Sequence, residues 1–234
     1  MRKHASLLAA LSGVACIAIL VAMLVLHAWP LWTGQVVFIK LARPIDPRDP
    51  FRGDYVILDY HISRLRLTTD QPESLQTPST DDQVDRFRWR PDPIDVKPLG
   101  QWAQIAADQD DSYSYYRDDL RDRKVYVQLH PQPSEFPEID QEYVAVSVCD
   151  HPVPDMVNLR GIVRQATRSN WEDRDDDRLE LTIHYGIDAL YVQQGSGYPI
   201  EEKIRTGAPG YAVVAIARSG QARLKHLIFP RATD

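Results

Sequence analysis

The chain has 234 residues, of which 44% are hydrophobic and 17 are proline, and its formal net charge is −6 at pH 7. This length suits one large domain or two small ones, and so many prolines argue against a helical bundle. The first 32 residues hold two of the 27 basic residues and no acid, so the rest has 25 basic and 33 acidic residues, a net charge of −8. Because phosphate binding requires a basic surface, we expect no nucleic-acid partner.

An apolar segment near the N-terminus predicts a transmembrane helix. The only ionisable side chains of residues 6–32 are His27 and Cys16, and residues 7–26 alone would span about 30 Å as a helix, the thickness of a bilayer core. Trp29 and Trp32 suit the aromatic belt at the membrane surface. A cleaved signal peptide has a shorter apolar region followed by small residues, so the sequence favours an uncleaved anchor over residues 1–32.

Basic residues before this span predict the orientation of the chain. Arg2, Lys3 and His4 place the N-terminus in the cytoplasm by the positive-inside tendency. We therefore expect a single-pass protein of the bacterial inner membrane, with residues 33–234 as a periplasmic domain. Only Cys149 lies in that domain, so no disulfide framework is possible there, and we expect Cys149 to be a small buried residue.

Short β-branched runs bounded by Gly, Pro, Asp or Asn predict a mainly β domain, with antiparallel sheets arranged as a barrel or a sandwich. The predicted strands cover residues 34–43, 54–62, 124–130, 142–149, 158–167, 178–186, 189–194, 210–218 and 222–229. A tight hairpin is predicted between the last two strands. One short helix is predicted at residues 199–206, where Pro199 begins it and acids occupy its first turn.

Residues 68–122 differ from the rest of the domain. They are polar, acidic and proline-bearing, which predicts a solvated excursion that is disordered in part. The sequence leaves open whether residues 33–234 form one domain or two subdomains divided near residues 150–157.

The motifs of several enzyme classes are missing. The chain has no HExxH, no CxxC and no GxSxG. Membrane-anchored serine–lysine proteases also carry a Gly-Asp before a strand of valine-type residues, but residues 44–52 contain no Ser, Thr or Cys that could act as a nucleophile. These absences weigh against an enzyme, and we expect no cofactor.

The stretch PIDPRDPFRGDYVILDYHI, residues 44–62, concentrates charged groups before a strand. Its first three aspartates would suit Ca²⁺, but two arginines are interleaved with them. This alternation favours an internal lattice of ion pairs and hydrogen bonds, and we expect no metal. The candidate binding loop comprises Asp46, Arg48, Asp49, Arg52, Gly53, Asp54 and Tyr55.

Side-chain alternation predicts that the strand of this stretch has one core face. A period of two places Val56, Leu58, Tyr60 and Ile62 on one face, which is apolar apart from a single phenol. We therefore interpret Leu58 and Tyr60 as structural residues, with the hydroxyl of Tyr60 reaching a hydrogen-bond partner.

Residues 53–60 read GDYVILDY and match the pattern G-D-Y-x-x-L-x-Y. The chain thereby resembles the GDYXXLXY protein family, an uncharacterised group of bacterial membrane-anchored proteins. The stretch YGIDALYVQQGSGYPIEE, residues 185–202, is similar to the second common block of that family. The second candidate block taken from this resemblance comprises Tyr185, Gly195, Gly197 and Glu201.

The resemblance implies no known activity. Members of the family tend to be encoded beside, or fused to, polytopic membrane proteins, which implies a partner in the membrane. The leading hypothesis is a non-catalytic accessory of a polytopic inner-membrane protein. Two alternatives remain: a small-ligand sensor with a tyrosine-lined pocket, and an envelope enzyme that works through Asp46, Asp49, Asp54 and Glu201.

Overall fold

The fold is described by a computed structural model of the chain. The described residues are 2–42, 55–68, 93–107, 116–168, 178–192, 199–200, 202–203 and 208–230. The side chains of residues 2–10 and 55 are not part of this description.

The chain begins with helix α1 (Arg2–Thr33). Its stretch Leu11–Thr33 is long and apolar enough to cross a membrane, by length and composition. None of the hydrophobic window of this stretch is buried against the rest of the molecule. Pro30 lies in the last turn of the helix, and the carbonyl of Pro30 accepts a hydrogen bond of 2.9 Å from the amide of Gly34.

A mainly β domain follows α1, which confirms the predicted fold class. Its described strands are β1 (Gln35–Lys40), β2 (Tyr55–Ile57), β3 (Arg64–Leu67), β4 (Ile94–Pro98), β5 (Lys124–Pro133), β6 (Gln141–Cys149), β7 (Val157–Arg168), β8 (Leu179–His184), β9 (Ala189–Tyr191), β10 (Tyr211–Ile216) and β11 (Ala222–Ile228). The hairpin predicted between the last two strands is present, with Gly220 at φ +81° in its turn.

Six of these strands close a barrel in the order β3-β4-β6-β5-β7-β8. β4 runs parallel to β3 and to β6, and the other neighbouring pairs are antiparallel. A separate three-stranded antiparallel sheet has the order β1-β10-β11, and β2 pairs with β9 as a two-stranded ribbon. The barrel draws strands from both sides of residues 150–157.

Side-chain alternation on β3 shows why a short charged segment becomes a barrel strand. Its sequence is RLRL, in which Leu65 and Leu67 are buried and both arginines face outward. The two arginines contact Glu180 on the neighbouring strand β8, at 3.3 Å for Arg64 and 3.0 Å for Arg66. The strand therefore combines a buried apolar face with charge pairs across the ladder.

One continuous core joins the barrel, the three-stranded sheet and the ribbon. It includes Val37 of β1, Val56 of β2, Val127 of β5 and Val214 of β10, all of them fully buried. The sheet and the barrel also meet through polar contacts, because the hydroxyl of Tyr211 donates to Oε2 of Glu142 at 2.8 Å.

Part of the expected solvated excursion belongs to the folded domain. Within residues 68–122, β4 is a barrel strand, and helix α2 (Gln101–Ala107) buries Trp102. Residues 199–200 and 202–203 are helical, as predicted for the short helix near Pro199. Cys149 is buried, with its thiol near the carbonyl oxygen of His151 at 2.6 Å.

Candidate functional site: the junction of the two motif segments

The two motif segments recognised in the sequence lie side by side. β2, from the first segment, pairs antiparallel with β9, from the second, so that Tyr55 stands opposite Tyr191 and Ile57 opposite Ala189. The ladder continues beyond the ribbon, because the amide of Leu58 donates to the carbonyl of Asp188 at 2.8 Å. The segments are far apart in sequence and form one structural unit.

Two buried tyrosines lock the segments together reciprocally. The hydroxyl of Tyr60 donates to the carbonyl of Ile187 at 2.6 Å, and that of Tyr185 donates to the carbonyl of Ile62 at 2.6 Å. Burial raises the pKa of both phenols well above the ordinary value of 10, so both remain neutral donors. Each segment thus satisfies a buried carbonyl of the other.

The end of β1 completes this arrangement. The amide of Ala42 donates to the carbonyl of Asp59 at 2.8 Å, and Leu41 forms an isolated antiparallel bridge with Tyr60. We call the three segments, residues 40–42, 58–63 and 185–188, the motif junction. Residues 43–54 connect residue 42 of this junction to β2, which leads directly into residues 58–63.

Asp59 is a partly buried carboxylate of the motif junction. Its Oδ1 accepts a hydrogen bond from the amide of Tyr60 at 2.9 Å, and that amide also contacts Oγ of Ser63 at 3.2 Å. Burial raises the pKa of Asp59, and the nearby charge of Asp188 adds to this shift. Hydrogen bonds from Ser63 and from the backbone of Tyr60 oppose it.

Asp188 is the second carboxylate of the junction. Its Oδ2 accepts a hydrogen bond from the amide of Gly186 at 3.0 Å and lies 3.0 Å from Nε2 of His184. Burial raises the pKa of Asp188, and the imidazole of His184 acts in the opposite direction. The φ of +74° at Gly186 allows the tight turn in which its amide faces this carboxylate.

His61 begins a single 3₁₀ turn, His61–Ser63, directly after the first motif. Burial lowers the pKa of its imidazole to about 4, and the positive charge of Lys40 on β1 contributes to the same shift. This histidine is therefore neutral at physiological pH.

The chemistry of the junction favours a structural and positioning role. A carboxyl with a raised pKa can serve as a general acid, but Asp59 and Asp188 both accept hydrogen bonds from backbone amides of their own turns. Across the described ranges, no three His, Cys, Asp or Glu side chains form a group that could hold a metal ion.

The predicted site residues fall into two groups. Leu58 and Tyr60 are 3% and 0% exposed, and Tyr185 is buried beside them. Tyr55 contributes the backbone of β2. The other candidates lie outside the described residues, and their roles remain predictions: Asp46, Arg48, Asp49, Arg52, Gly53, Asp54, Gly195, Gly197 and Glu201.

Four polar residues of this region were not among the predicted site residues. They are Asp59, His61, His184 and Asp188. Alternation in the first motif offered one signal, since Asp59 and His61 fall on the face opposite Leu58 and Tyr60. No comparable pattern in the sequence indicates the pairing of Asp188 with His184.

A comparison with protein families shows the family to which the chain belongs. The family described as GDYXXLXY protein matches residues 16–227 of the chain. The chain belongs to the GDYXXLXY family. No curated protein and no solved structure matches it. In this family member, the signature at residues 53–60 enters the core through Leu58 and Tyr60 and is paired with the segment around Asp188.

Proposed function

We propose that the protein is a single-pass membrane-anchored binding domain that acts as an accessory of a polytopic inner-membrane protein. Its N-terminus lies in the cytoplasm and its β domain in the periplasm. The docking surface is the loop with residues Asp46 to Tyr55, presented by the motif junction. The role is binding rather than catalysis.

The apolar surface of α1 supports the membrane anchor. Its side chains are exposed along the hydrophobic stretch, and Trp29 and Trp32 are 52% and 69% exposed near its end. Such a surface is stable in lipid and costly in water. A cleaved signal sequence has the same composition, so extraction distinguishes the two. An anchored chain stays in the membrane fraction at alkaline pH, whereas a processed chain is shorter and is released.

Contacts between α1 and the domain support a fixed presentation of the domain at the membrane. The guanidinium of Arg223 on β11 contacts the carbonyl of His27 at 3.1 Å and Nδ1 of His27 at 2.6 Å. The side-chain amide of Gln35, directly after the helix, donates to the hydroxyl of Tyr143 at 3.2 Å. A domain whose orientation is already fixed in this way can bind a partner in the same bilayer with little further loss of orientational freedom.

The observation that carries the docking proposal is the rigid base of the loop. The chain leaves the junction after Ala42, and β2 leads back into junction residues 58–63. Ala42 is tied by a backbone hydrogen bond to Asp59, and β2 is paired with β9 of the second motif segment. Binding residues are commonly placed on loops held by such a scaffold. Junction residues therefore position the loop, and loop residues make the contacts.

Co-purification from the native host tests the proposal. The full chain and its Arg52→Ala/Asp54→Ala variant are cross-linked in membranes, solubilised and purified. We expect the wild type to retain a multi-span protein and the variant to lose most of it. A matched control is Arg178→Ala/Asp95→Ala, which removes one Arg and one Asp from an exposed pair of the barrel region 4.0 Å apart.

The control defines what counts against the proposal. We expect both double variants to keep the wild-type circular dichroism and unfolding midpoint, because substitutions in a docking loop or at an exposed pair have small effects on stability. If the Arg52→Ala/Asp54→Ala variant retains the multi-span protein as fully as the control does, the loop is not the docking surface. If the wild type retains no such protein, the accessory role itself is wrong.

A further inference from the structure

A cleft of about 270 Å³ lies between the barrel wall and the β10–β11 hairpin. Its lining is rich in basic and hydrogen-bonding groups, although the chain as a whole carries a net negative charge. We call it the basic cleft, and its lining includes Lys124, Arg160, His184, Gly186, Gln221 and Arg223.

Strand alternation explains why basic side chains meet on this wall. On β7, Leu159, Gly161 and Val163 face the core, so that Arg160 and Ile162 face outward. Ile162 stands opposite Lys124 on β5 and opposite His184 on β8. These three residues form one outward row across three strands, with Arg160 diagonally adjacent.

The hairpin forms the other wall of the cleft. The amide of Arg160 donates to the carbonyl of Gly220 at 2.9 Å, which fixes the hairpin against β7. A Cβ atom at Gly220 would lie 3.1 Å from Cβ of Arg160 and 3.1 Å from the ring of Tyr126. These tight contacts and the φ of +81° favour glycine at this close approach, which brings Gln221 and Arg223 opposite the barrel wall.

The charges of the cleft are not balanced within its lining. None of the described residues that line it is acidic, and in the described part of the chain neither Lys124 nor Arg160 forms an ion pair with a carboxylate. The lining residue His184 does contact a carboxylate, since its Nε2 lies 3.0 Å from Oδ2 of Asp188. Three permanent cations therefore face one opening, an arrangement that recognises a phosphate group.

The contact between Arg223 and α1 places the cleft near the membrane surface. Arg223 lines the cleft and also binds His27, the first ionisable side chain after the apolar run of residues 7–26. That run alone is about as long as a bilayer core is thick. In the proposed topology, His27 marks the outer edge of the hydrocarbon, where the phosphates of lipid head groups lie.

We propose that the basic cleft binds a phosphate group, supplied by the head group of an anionic phospholipid such as phosphatidylglycerol. Arg160 and Lys124 contact the phosphate from the barrel wall, and Arg223 contacts it from the hairpin. The bound head group ties the domain to the bilayer beside α1. The described lining comes from β5, β7, β8, Tyr185 and Gly186 of the motif junction, and the hairpin.

Thermal stabilisation of the full chain in a neutral detergent tests this proposal. The probes are short-chain phosphatidylglycerol, phosphatidylcholine of the same chain length, and inorganic phosphate. A ligand that binds the native state raises the unfolding midpoint in a saturable way. We expect saturable stabilisation by phosphatidylglycerol, little by phosphatidylcholine, and a decrease of the effect at high salt.

The variant Lys124→Gln/Arg160→Gln removes two cations of the barrel wall. Each lost charge-assisted contact weakens binding by about tenfold or more, so the affinity of the double variant for phosphatidylglycerol should fall by at least that factor. The matched control Lys97→Gln/Arg178→Gln also removes one Lys and one Arg, neither of which lines the cleft. It should bind as the wild type does. The single variant Lys124→Gln, at an exposed position, serves if the double variant folds poorly.

The three probes separate the possible outcomes. Stabilisation by phosphatidylglycerol alone supports the lipid head group, and stabilisation by phosphate as well supports the phosphate site with a soluble source. The proposal is overturned if neither anion stabilises the wild type, or if the cleft variants bind as tightly as the control. Neither result bears on the multi-span partner, because the docking loop is unchanged in all of these variants.

Discussion

The hydroxyl groups of Tyr60 and Tyr185 show how single atoms can define a register. Each phenol donates a hydrogen bond to a main-chain carbonyl of the opposite segment, Tyr60 to Ile187 and Tyr185 to Ile62. A shift of one residue in the β2–β9 pairing would leave both hydroxyls and both carbonyls unsatisfied in the core, at a cost of about 1–3 kcal/mol for each group. The tyrosines therefore specify one alignment of the two motif segments.

Removal of one hydroxyl should be measurable as lost stability. We expect Tyr185→Phe to lower the free energy of unfolding by about 1–3 kcal/mol, because the carbonyl of Ile62 remains buried without its donor. Urea denaturation of the detergent-solubilised chain measures the change. Tyr191→Phe is the matched control at a side chain that is 72% exposed, and it should cost less than about 0.5 kcal/mol. Equal midpoints for the wild type and Tyr185→Phe would contradict this role.

His61 should make the fold sensitive to mild acid. Its pKa of about 4 lies below the ordinary 6.5, so between these values the folded state binds fewer protons than the unfolded state. The free energy of unfolding therefore decreases as the pH falls from 6.5 to 4, on the order of 2 kcal/mol for this group. His61→Gln should remove this part of the pH dependence.

Comparison of variants isolates the contribution of His61. The raised pKa values of Asp59 and Asp188 act in the opposite sense, since these carboxyls take up protons more readily in the folded state and lose that stabilisation as the pH rises through their folded pKa. Both remain in His61→Gln, so the difference from wild type reports on the histidine alone. His226→Gln, at an exposed position of β11, should keep the wild-type profile. Identical profiles for His61→Gln and wild type would refute the assignment.

At the scale of the elements, the absence of a side chain at Gly161 of β7 allows β7 and β8 to pack against the motif junction. A Cβ atom at this position would lie 2.3 Å from Cγ2 of Ile183 and 3.1 Å from the ring of Tyr185. The missing side chain of β7 thus provides the space in which the ring of Tyr185 reaches toward Ile62. The barrel wall and the motif junction depend on the same glycine.

A double-mutant cycle tests this fit. Gly161→Ala should lower the free energy of unfolding by about 1–3 kcal/mol through overpacking. Ile183→Leu removes the β-branch methyl that the new Cβ would meet, so the double variant should lose less than the sum of the two single losses. Strict additivity of the three values would show that the contact with Ile183 is not the cause.

The strands that the sequence predicted and those it missed differ in composition. β10, with the sequence YAVVAI, and β6, with QEYVAVSVC, are rich in valine and were recognised from local preference. β3 has only four residues, and β4 reads IDVKP, in which Asp, Lys and Pro all disfavour a strand. β4 forms a strand because parallel neighbours on both sides supply its hydrogen bonds, and this pairing is not encoded locally.

The candidate site was predictable in its apolar part and not in its polar part. Alternation alone assigned Leu58 and Tyr60 to the core, because a period of two is a local property of the chain. The shifts in the pKa of Asp59 and Asp188 arise from burial by segments distant in sequence. Such burial follows from the tertiary arrangement, which the order of residues along one motif does not reveal.

At the scale of the whole molecule, the β domain is independent of α1 for its core. No residue of α1 belongs to the described core cluster. A chain truncated to residues 34–234 should therefore remain folded and stay soluble without detergent, with a free energy of unfolding close to that of the full chain. Chemical denaturation monitored by the fluorescence of buried Trp102 measures this. Aggregation, or loss of cooperative unfolding, would show that the helix is part of the folded unit.

The pairing of β1 with β10 has a consequence for the folding of the newly synthesised chain. Gln35 stands opposite Ile216 and Lys40 opposite Tyr211. The first strand after the helix therefore cannot pair until one of the last strands has been synthesised. Until then β1 is an open edge, and unpaired edges are templates for aggregation. Contacts this distant along the chain also close slowly. Completion of the sheet is therefore a late step in biogenesis. A nascent chain that stalls before residue 211 leaves β1 unpaired and prone to aggregation beside the bilayer.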